Sequence, residues 1–216
     1  MSNCHYKLIY FNLKGRAEAI RILFKLANQP FEEVKIEFPE WPELKQKTLF
    51  RQLPILEVTE DSKTTVIAQS NAIIRFLAAR FGFSGENDLE RAQTDMVSEQ
   101  IRDVFESLVL IYRVKDENEK KQLLDKSMNE ATLNGYTLVQ NILEANTNGN
   151  GYLVGNKISY ADITLLMSYD WLRDRKDEIL SKLPALKQHE QMISNIPIIE
   201  QHLKENRDVR VTILFN

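Results

Sequence analysis

The spacing of apolar residues changes part-way along the chain. Residues 5–11 alternate between polar and apolar side chains closely enough to predict a short strand. Beyond Gly82-Phe83-Ser84-Gly85, apolar residues recur every three or four positions, which is the spacing of helices with one buried face. We therefore predict an α+β first domain at 1–82 and an all-helical second domain at 83–216.

The first domain is predicted to have the element order βαβ followed by ββα. Asn28-Gln29-Pro30 stops the first helix, and Glu60-Asp61-Ser62-Lys63 is typical of a hairpin turn. The predicted elements are a strand at 5–11, a helix after Gly15, strands at 31–37, 53–58 and 64–67, and a helix from Ser70.

The second domain contains no strand-like run. Its periodicity predicts a long helix through 97–111 and a second one from about 117 to 145. Ser159-Tyr160-Ala161-Asp162 has the form of a helix start, and the apolar stretch after it predicts the most buried helix. Further helices are separated by Pro184 and Pro197, whereas the tail at 207–216 has no assignable structure.

Composition narrows the class of protein. The chain has 216 residues, 43% hydrophobic and 27% charged, which is typical of a folded globular protein. It has no apolar run of about 18 residues and no secretory signal pattern, so we expect a cytoplasmic protein without a membrane partner. A net charge of -3 gives no reason to bind nucleic acid. The single cysteine, Cys4, and three scattered histidines argue against disulfides and metal sites.

Five short motifs occur in a fixed order along the chain. They are the stretch from His5 to Glu18, Trp41 with Lys45, Gln52-Leu53-Pro54-Ile55-Leu56, Gln69-Ser70-Asn71-Ala72-Ile73, and the segment from Gly155 to Asp162. With these motifs the chain resembles the sigma-like class of cytosolic glutathione transferases, which includes the glutathione-dependent prostaglandin D synthase. The resemblance extends from Tyr6 to about Ile199.

This resemblance implies a thioredoxin-like glutathione-binding first domain and a helical second domain that contributes a hydrophobic substrate site. It also implies a homodimer, glutathione as co-substrate and no metal. The expected activity is conjugation of the glutathione thiolate to hydrophobic electrophiles, with isomerase or peroxidase side activity as further options.

Tyr10 is the catalytic residue that the resemblance implies. If the glutathione thiol has a pKa of about 8.5, only about 3% of it is ionised at pH 7. Lowering that pKa by about two units takes about 2.7 kcal/mol of preferential anion stabilisation. A phenol that stays protonated at neutral pH can supply much of this as a hydrogen-bond donor. Taken alone, Tyr10 would be interpreted as a structural strand residue.

The remaining glutathione-binding residues also come from the resemblance. Ser70 and Gln69 would hold the γ-glutamyl carboxylate at a helix start, although Ser70 alone could be a plain cap. The resemblance gives Leu53-Pro54 a cis peptide bond, where composition alone favours trans. The other implied residues are Arg16, Trp41, Lys45, Gln52 and Asp103 of the partner subunit.

Several alternatives stay open from the residues. Asp103 could be an exposed helix acid near Arg102, and Arg16 could pair with Glu18 or Asp162. Phe50 could be a key-like dimer contact or a buried loop anchor.

The apolar half of the site is assigned to Phe11, Leu13, Phe105 and Leu110.

Two positions depart from the prostaglandin D synthase pattern. Arg102 stands where the interface metal site has an acid, and Leu110 stands where that enzyme has a tryptophan, so prostaglandin synthesis is not transferred. Two non-enzymatic alternatives are a binding protein for hydrophobic ligands and a structural relative such as a lens crystallin. The intact glutathione motifs weigh against the latter. The second substrate cannot be read from generic apolar residues.

Overall fold

The computed structural model describes residues 4–209 and 211, which form two compact units. The described residues of the first unit are 4–81, 201–209 and 211, and those of the second are 82–200. The helical domain was expected to include all of 83–216, whereas 201–209 and 211 group with the first unit. The remainder of the predicted tail, 210 and 212–216, lies outside the described residues.

The first unit is built on a four-stranded mixed sheet in the order β2-β1-β3-β4. β1 pairs in parallel with β2, whereas the β1–β3 and β3–β4 pairs are antiparallel. This arrangement confirms the predicted order of elements. The strands are β1 (His5–Phe11), β2 (Glu32–Ile36), β3 (Ile55–Glu60) and β4 (Lys63–Ala68).

Three helices accompany this sheet, namely α1 (Glu18–Leu26), α2 (Trp41–Lys45) and α3 (Ser70–Phe81). A 3₁₀ turn at Gly15–Ala17 precedes α1. Fully buried apolar side chains from β1, β3, α1 and α3 form the core of the unit; they include Leu8, Ile20, Leu56 and Leu77. The short helix α2 has Pro42 in its first turn, where a missing amide proton costs nothing.

The described residues of the second unit form helices joined by loops and contain no strand. The single helix predicted at 117–145 is wrong, because the backbone leaves helical geometry at Glu130, with φ -117° and ψ -86°. One residue causes the break, so the apolar spacing on either side still resembles one helix. The elements are α4 (Asp88–Tyr112), α5 (Glu117–Asn129), α6 (Ala131–Thr147), α7 (Tyr160–Ser168), α8 (Lys176–Ser181) and α9 (Pro184–Ser194). The last helix, α10 (Pro197–Glu205), begins in the second unit, and its residues from Gln201 onward group with the first.

The start of α7 is fixed by a buried carboxylate. Ser159 and Asp162 form a capping box, which confirms the predicted helix start. The Asp162 carboxylate also accepts hydrogen bonds from the Leu153 amide at 2.9 Å and from His189 Nε2 at 2.8 Å. Every residue of α7 except Thr164 is buried, as expected from its apolar composition.

Candidate active site

The register of the sheet gathers residues that are distant in sequence at one edge. In the pairing of β1 with β3, Ile9 lies opposite Ile55, and in the pairing of β3 with β4, Ile55 lies opposite Ala68. Neighbouring strands are about 4.8 Å apart, so the residues one step beyond these pairs are close neighbours. The residues at this edge are Tyr10, Pro54 and Gln69.

Tyr10 is buried, with 7% of its surface exposed, and its hydroxyl oxygen accepts a hydrogen bond from the Arg16 amide at 3.1 Å. Burial raises the pKa of the Tyr10 phenol above its ordinary value of 10.0, and the Arg16 hydrogen bond and the charges of Arg16 and Arg21 offset only part of that rise. Tyr10 therefore keeps its proton at neutral pH. Because Arg16 occupies a lone pair, the hydroxyl proton remains available for another acceptor.

Gly15 allows the loop after β1 to fold onto Tyr10. Its φ of +47° lies in the left-handed region, which residues with a side chain rarely adopt. A Cβ atom at this position would lie 2.6 Å from the Tyr10 hydroxyl oxygen and 2.6 Å from Leu13 Cδ1. The 3₁₀ turn that starts at Gly15 then presents the Arg16 amide to the tyrosine.

An aromatic cluster lies beside Tyr10. The Phe11 ring contacts Tyr10 edge-on at a centroid distance of 5.7 Å, and it stacks on Phe38 at 5.1 Å. Trp41, the first residue of α2, meets Phe11 edge-on at 5.4 Å. Phe11 and Trp41 are thus brought together, and Lys45 is exposed at the other end of the same short helix.

The second group of candidate residues surrounds the starts of β3 and α3. The Leu53–Pro54 peptide bond is cis, as the resemblance implied. The Gln69 side-chain amide donates to Gln52 Oε1 at 3.3 Å, which joins two predicted site residues directly. Ser70 is the first residue of α3, so the unpaired amides and the positive dipole end of that helix are close to it.

The second unit carries the other three candidates, all on α4. Asp103 is exposed, and its neighbour Arg102 pairs with Glu99 at 2.6 Å. Phe105 packs edge-on against Trp171 at a centroid distance of 4.3 Å. Leu110, which is 65% exposed, comes five positions later, so it lies about 140° around the helix from Phe105.

Sequence reasoning missed a buried ionic cluster beneath the Tyr10 loop. Arg21 on α1 donates to Glu18 Oε2 and to Glu33 Oε1, both at 2.6 Å. His202 on α10 lies 2.8 Å from the other oxygen of Glu18. The three-residue spacing of Glu18 and Arg21 could have indicated their ion pair, whereas His202 and Glu18 are 184 positions apart and leave no local signal.

Comparisons with known proteins agree with this architecture. A family model described as the N-terminal domain of glutathione S-transferase matches residues 6–79, and one for the C-terminal domain matches 102–206. The probable glutathione S-transferase 6 of Caenorhabditis elegans is 32% identical, over 94% of this chain and 98% of its own length.

Two solved structures are also close to this chain. The sigma class transferase of Fasciola hepatica superposes with a TM-score of 0.85 at 27% identity, covering 98% of this chain and 99% of its own. A transferase of the hookworm Necator americanus, described as monomeric, has a TM-score of 0.81 at 33% identity and covers 93% of this chain and 97% of its own.

A thioredoxin-like sheet unit and a helical unit with these motifs define a glutathione-using enzyme of the sigma-like type. The chain belongs to the glutathione S-transferase family, and it uses glutathione as co-substrate in a conjugation reaction. The non-catalytic alternative is not favoured. Across 4–209 and 211, no three His, Cys, Asp or Glu side chains are grouped so as to hold a metal ion. In the same residues, no helix combines the length and apolar character needed to span a membrane.

Proposed function

We propose that Tyr10 activates the glutathione thiol by donating its hydroxyl hydrogen bond to the sulfur. The main support is that the phenol is buried, keeps its proton and already accepts a hydrogen bond from the Arg16 amide. A hydrogen bond to a charged group contributes about 1.5–3 kcal/mol, which covers much of the stabilisation that a two-unit fall in thiol pKa requires. Tyr10 acts as a donor to the thiolate and need not act as a base.

Glutathione is proposed to lie along the sheet edge that carries Tyr10. The backbone of Leu53 at the cis Pro54 bond would pair with the peptide, while Gln69 and Ser70 at the start of α3 would receive the γ-glutamyl carboxylate. Trp41, Lys45 and Gln52 are assigned to the glycyl end and to the peptide of glutathione, and Arg16 to a position close to the site. The Gln69–Gln52 hydrogen bond supports this arrangement, because it joins two of these residues.

A homodimer is proposed in which Asp103 of the partner subunit reaches the γ-glutamyl amine. Asp103 is exposed on α4, and Arg102 is engaged by Glu99. Phe50 is 56% exposed, which argues against a buried loop anchor and favours a contact with a second copy. Sedimentation equilibrium measures the assembly state, and a monomer that binds glutathione independently of Asp103 would contradict this assignment.

The second substrates are proposed to be small hydrophobic electrophiles in the cytoplasm. The candidates for their apolar surroundings are Phe11 and Leu13 in the first unit and Phe105 and Leu110 in the second. The enzyme would contribute positioning and anion stabilisation, since the thiolate itself carries out the attack. A panel of electrophiles assayed with glutathione identifies the class that reacts.

The decisive test is replacement of Tyr10 by phenylalanine. We expect glutathione affinity to change little, the pKa of the bound thiol to rise by about one to two units, and kcat to fall about tenfold to a hundredfold. Ultraviolet titration of the bound thiolate measures the pKa. Tyr6→Phe is a matched control, because Tyr6 is a buried tyrosine of the same strand whose hydroxyl is bonded to Arg80 at 3.0 Å. A thiol pKa that is equal in Tyr10→Phe and the parent would rule out this role.

A further inference from the structure

His202 is held in one hydrogen-bonding state within the first unit. The residue is 4% exposed, and Asn206 Nδ2 lies 3.3 Å from His202 Nδ1 while also donating to the His202 carbonyl at 2.8 Å. Since an amide nitrogen can only donate, Nδ1 accepts and Nε2 carries the ring proton. Nε2 therefore donates to Glu18 Oε1, at 2.8 Å.

A series of hydrogen bonds connects His202, through Glu18 and Arg21, to the loop after β1. The other Glu18 oxygen accepts from Arg21, and the same Arg21 nitrogen also donates to the backbone carbonyls of Leu13 at 3.0 Å and Lys14 at 3.2 Å. These two carbonyls immediately precede Gly15. Arg21 thus holds the loop in place, and Arg16, which follows Gly15 in this loop, donates its amide hydrogen bond to Tyr10.

Beyond His202, the C-terminal segment also contacts this loop directly. The Gly15 amide donates to the Val211 carbonyl at 2.8 Å. Glu18, Arg21, His202 and Leu13 also border a cavity of about 300 Å³. The loop is held there by the hydrogen bonds that Arg21 donates to its carbonyls and by the one that the Gly15 amide donates to the Val211 carbonyl.

We propose that His202 is a positioning residue for the transferase reaction. By fixing the Glu18 carboxylate it orients Arg21, and Arg21 holds the loop that places the Arg16 amide against the Tyr10 hydroxyl. The residue acts through others and does not touch glutathione. This inference rests on the proposed role of Tyr10, because its effect reaches the thiol through that hydroxyl.

The second unit offers a matched comparison. His189 is buried there and its Nε2 lies 2.8 Å from the buried Asp162 carboxylate, just as His202 lies against Glu18. Removal of either imidazole takes a hydrogen-bond donor from a buried carboxylate. If His202 had only a structural role, removal of His202 and removal of His189 would have the same effect on the pKa of the glutathione thiol.

The test compares His202→Phe, His202→Gln and His189→Phe as full-length proteins. We expect His202→Phe to raise the pKa of the bound glutathione thiol and to lower kcat about threefold to tenfold, with a smaller change in KM for glutathione. His202→Gln keeps an amide donor for Glu18 and should restore most of the lost kcat. His189→Phe should reduce stability without shifting the thiol pKa.

A folded His202→Phe protein with the parental thiol pKa would overturn the proposal. So would an equal pKa shift in His189→Phe. If His202→Phe does not fold, Asn206→Ala provides the milder test, because it removes the hydrogen bond that orients the His202 ring. A folded Asn206→Ala protein with an unshifted thiol pKa then overturns it. Tyr10→Phe separates the two proposals: if it raises the thiol pKa and the His202 variants do not, only the role of His202 fails.

Discussion

Replacement of Gly15 by alanine tests the geometry that places Tyr10. The backbone at Gly15 has a φ of +47°, and adopting this left-handed conformation costs a residue with a Cβ about 1–2 kcal/mol. The added methyl would also lie 2.6 Å from the Tyr10 hydroxyl oxygen and from Leu13 Cδ1. Overpacking of this kind costs about 1–3 kcal/mol, so the expected loss is about 2–5 kcal/mol of a stability of about 5–15 kcal/mol.

The same substitution should impair catalysis in the protein that remains folded. Restoring an ordinary contact of 3.4 Å requires the tyrosine oxygen or the loop to move by about 0.8 Å. Such a shift would stretch the 3.1 Å bond between the Arg16 amide and the Tyr10 hydroxyl beyond hydrogen-bond range. Loss of one such bond predicts a fall in kcat of about threefold to tenfold and a higher pKa of the bound thiol.

Gly82→Ala is the control for this experiment. Gly82 has a φ of +83°, but a Cβ there would meet no atom within 4 Å, so its substitution isolates the backbone cost. Urea unfolding of both variants gives the difference in the free energy of unfolding, and thiolate titration gives the catalytic effect. Equal destabilisation by the two substitutions, with an unchanged thiol pKa in Gly15→Ala, would refute the argument that steric crowding displaces Tyr10.

Two further predictions concern buried carboxylates. Asp162→Asn should lower the free energy of unfolding by about 3–5 kcal/mol, because the fully buried carboxylate accepts from backbone and side-chain donors that an amide cannot all satisfy. Urea unfolding measures this loss, with the exposed substitution Asp103→Asn as the control. A loss of stability close to that of the control would contradict the prediction. Burial opposes ionisation of Glu18, but the His202 hydrogen bond and the Arg21 charge lower the pKa of this carboxyl overall from 4.5. The ionised Glu18 therefore stabilises the folded protein above pH 4.5, and this stabilisation is lost as the pH falls through the folded-state pKa. The stability difference between the parent and Glu18→Gln should therefore shrink as unfolding is measured at increasingly acid pH, and a constant difference would disprove the linkage.

Local patterns were sufficient for the order of elements. The alternation in β1 and the Ser159–Asp162 helix start depend on neighbouring residues, and both appear where they were expected. The motifs around Pro54 and Gln69 could be recognised because each is contiguous in sequence. Their common place at one sheet edge then follows from strand register.

Features that depend on a single backbone angle or on distant partners could not be predicted in this way. The break at Glu130 changes one residue within a continuous periodic pattern. His202 resembled any histidine of a surface helix until its contact with Glu18 was known. Arg21 had the spacing of an ordinary helix ion pair, and its hydrogen bonds to two loop carbonyls have no counterpart in the residue pattern.

The grouping of 201–209 and 211 with the first unit bears on how the protein is made. About 120 residues separate Phe81 from Gln201, and at a synthesis rate of about 5–20 residues per second they take about 6–24 s to be translated. During that interval the sheet can form on the emerging chain, but Glu18 lacks His202 and the Gly15 amide lacks Val211. The loop that carries Arg16 would therefore reach its final form only after His202 and Val211 have been translated, so the sheet of a nascent chain would form before the active-site loop is complete.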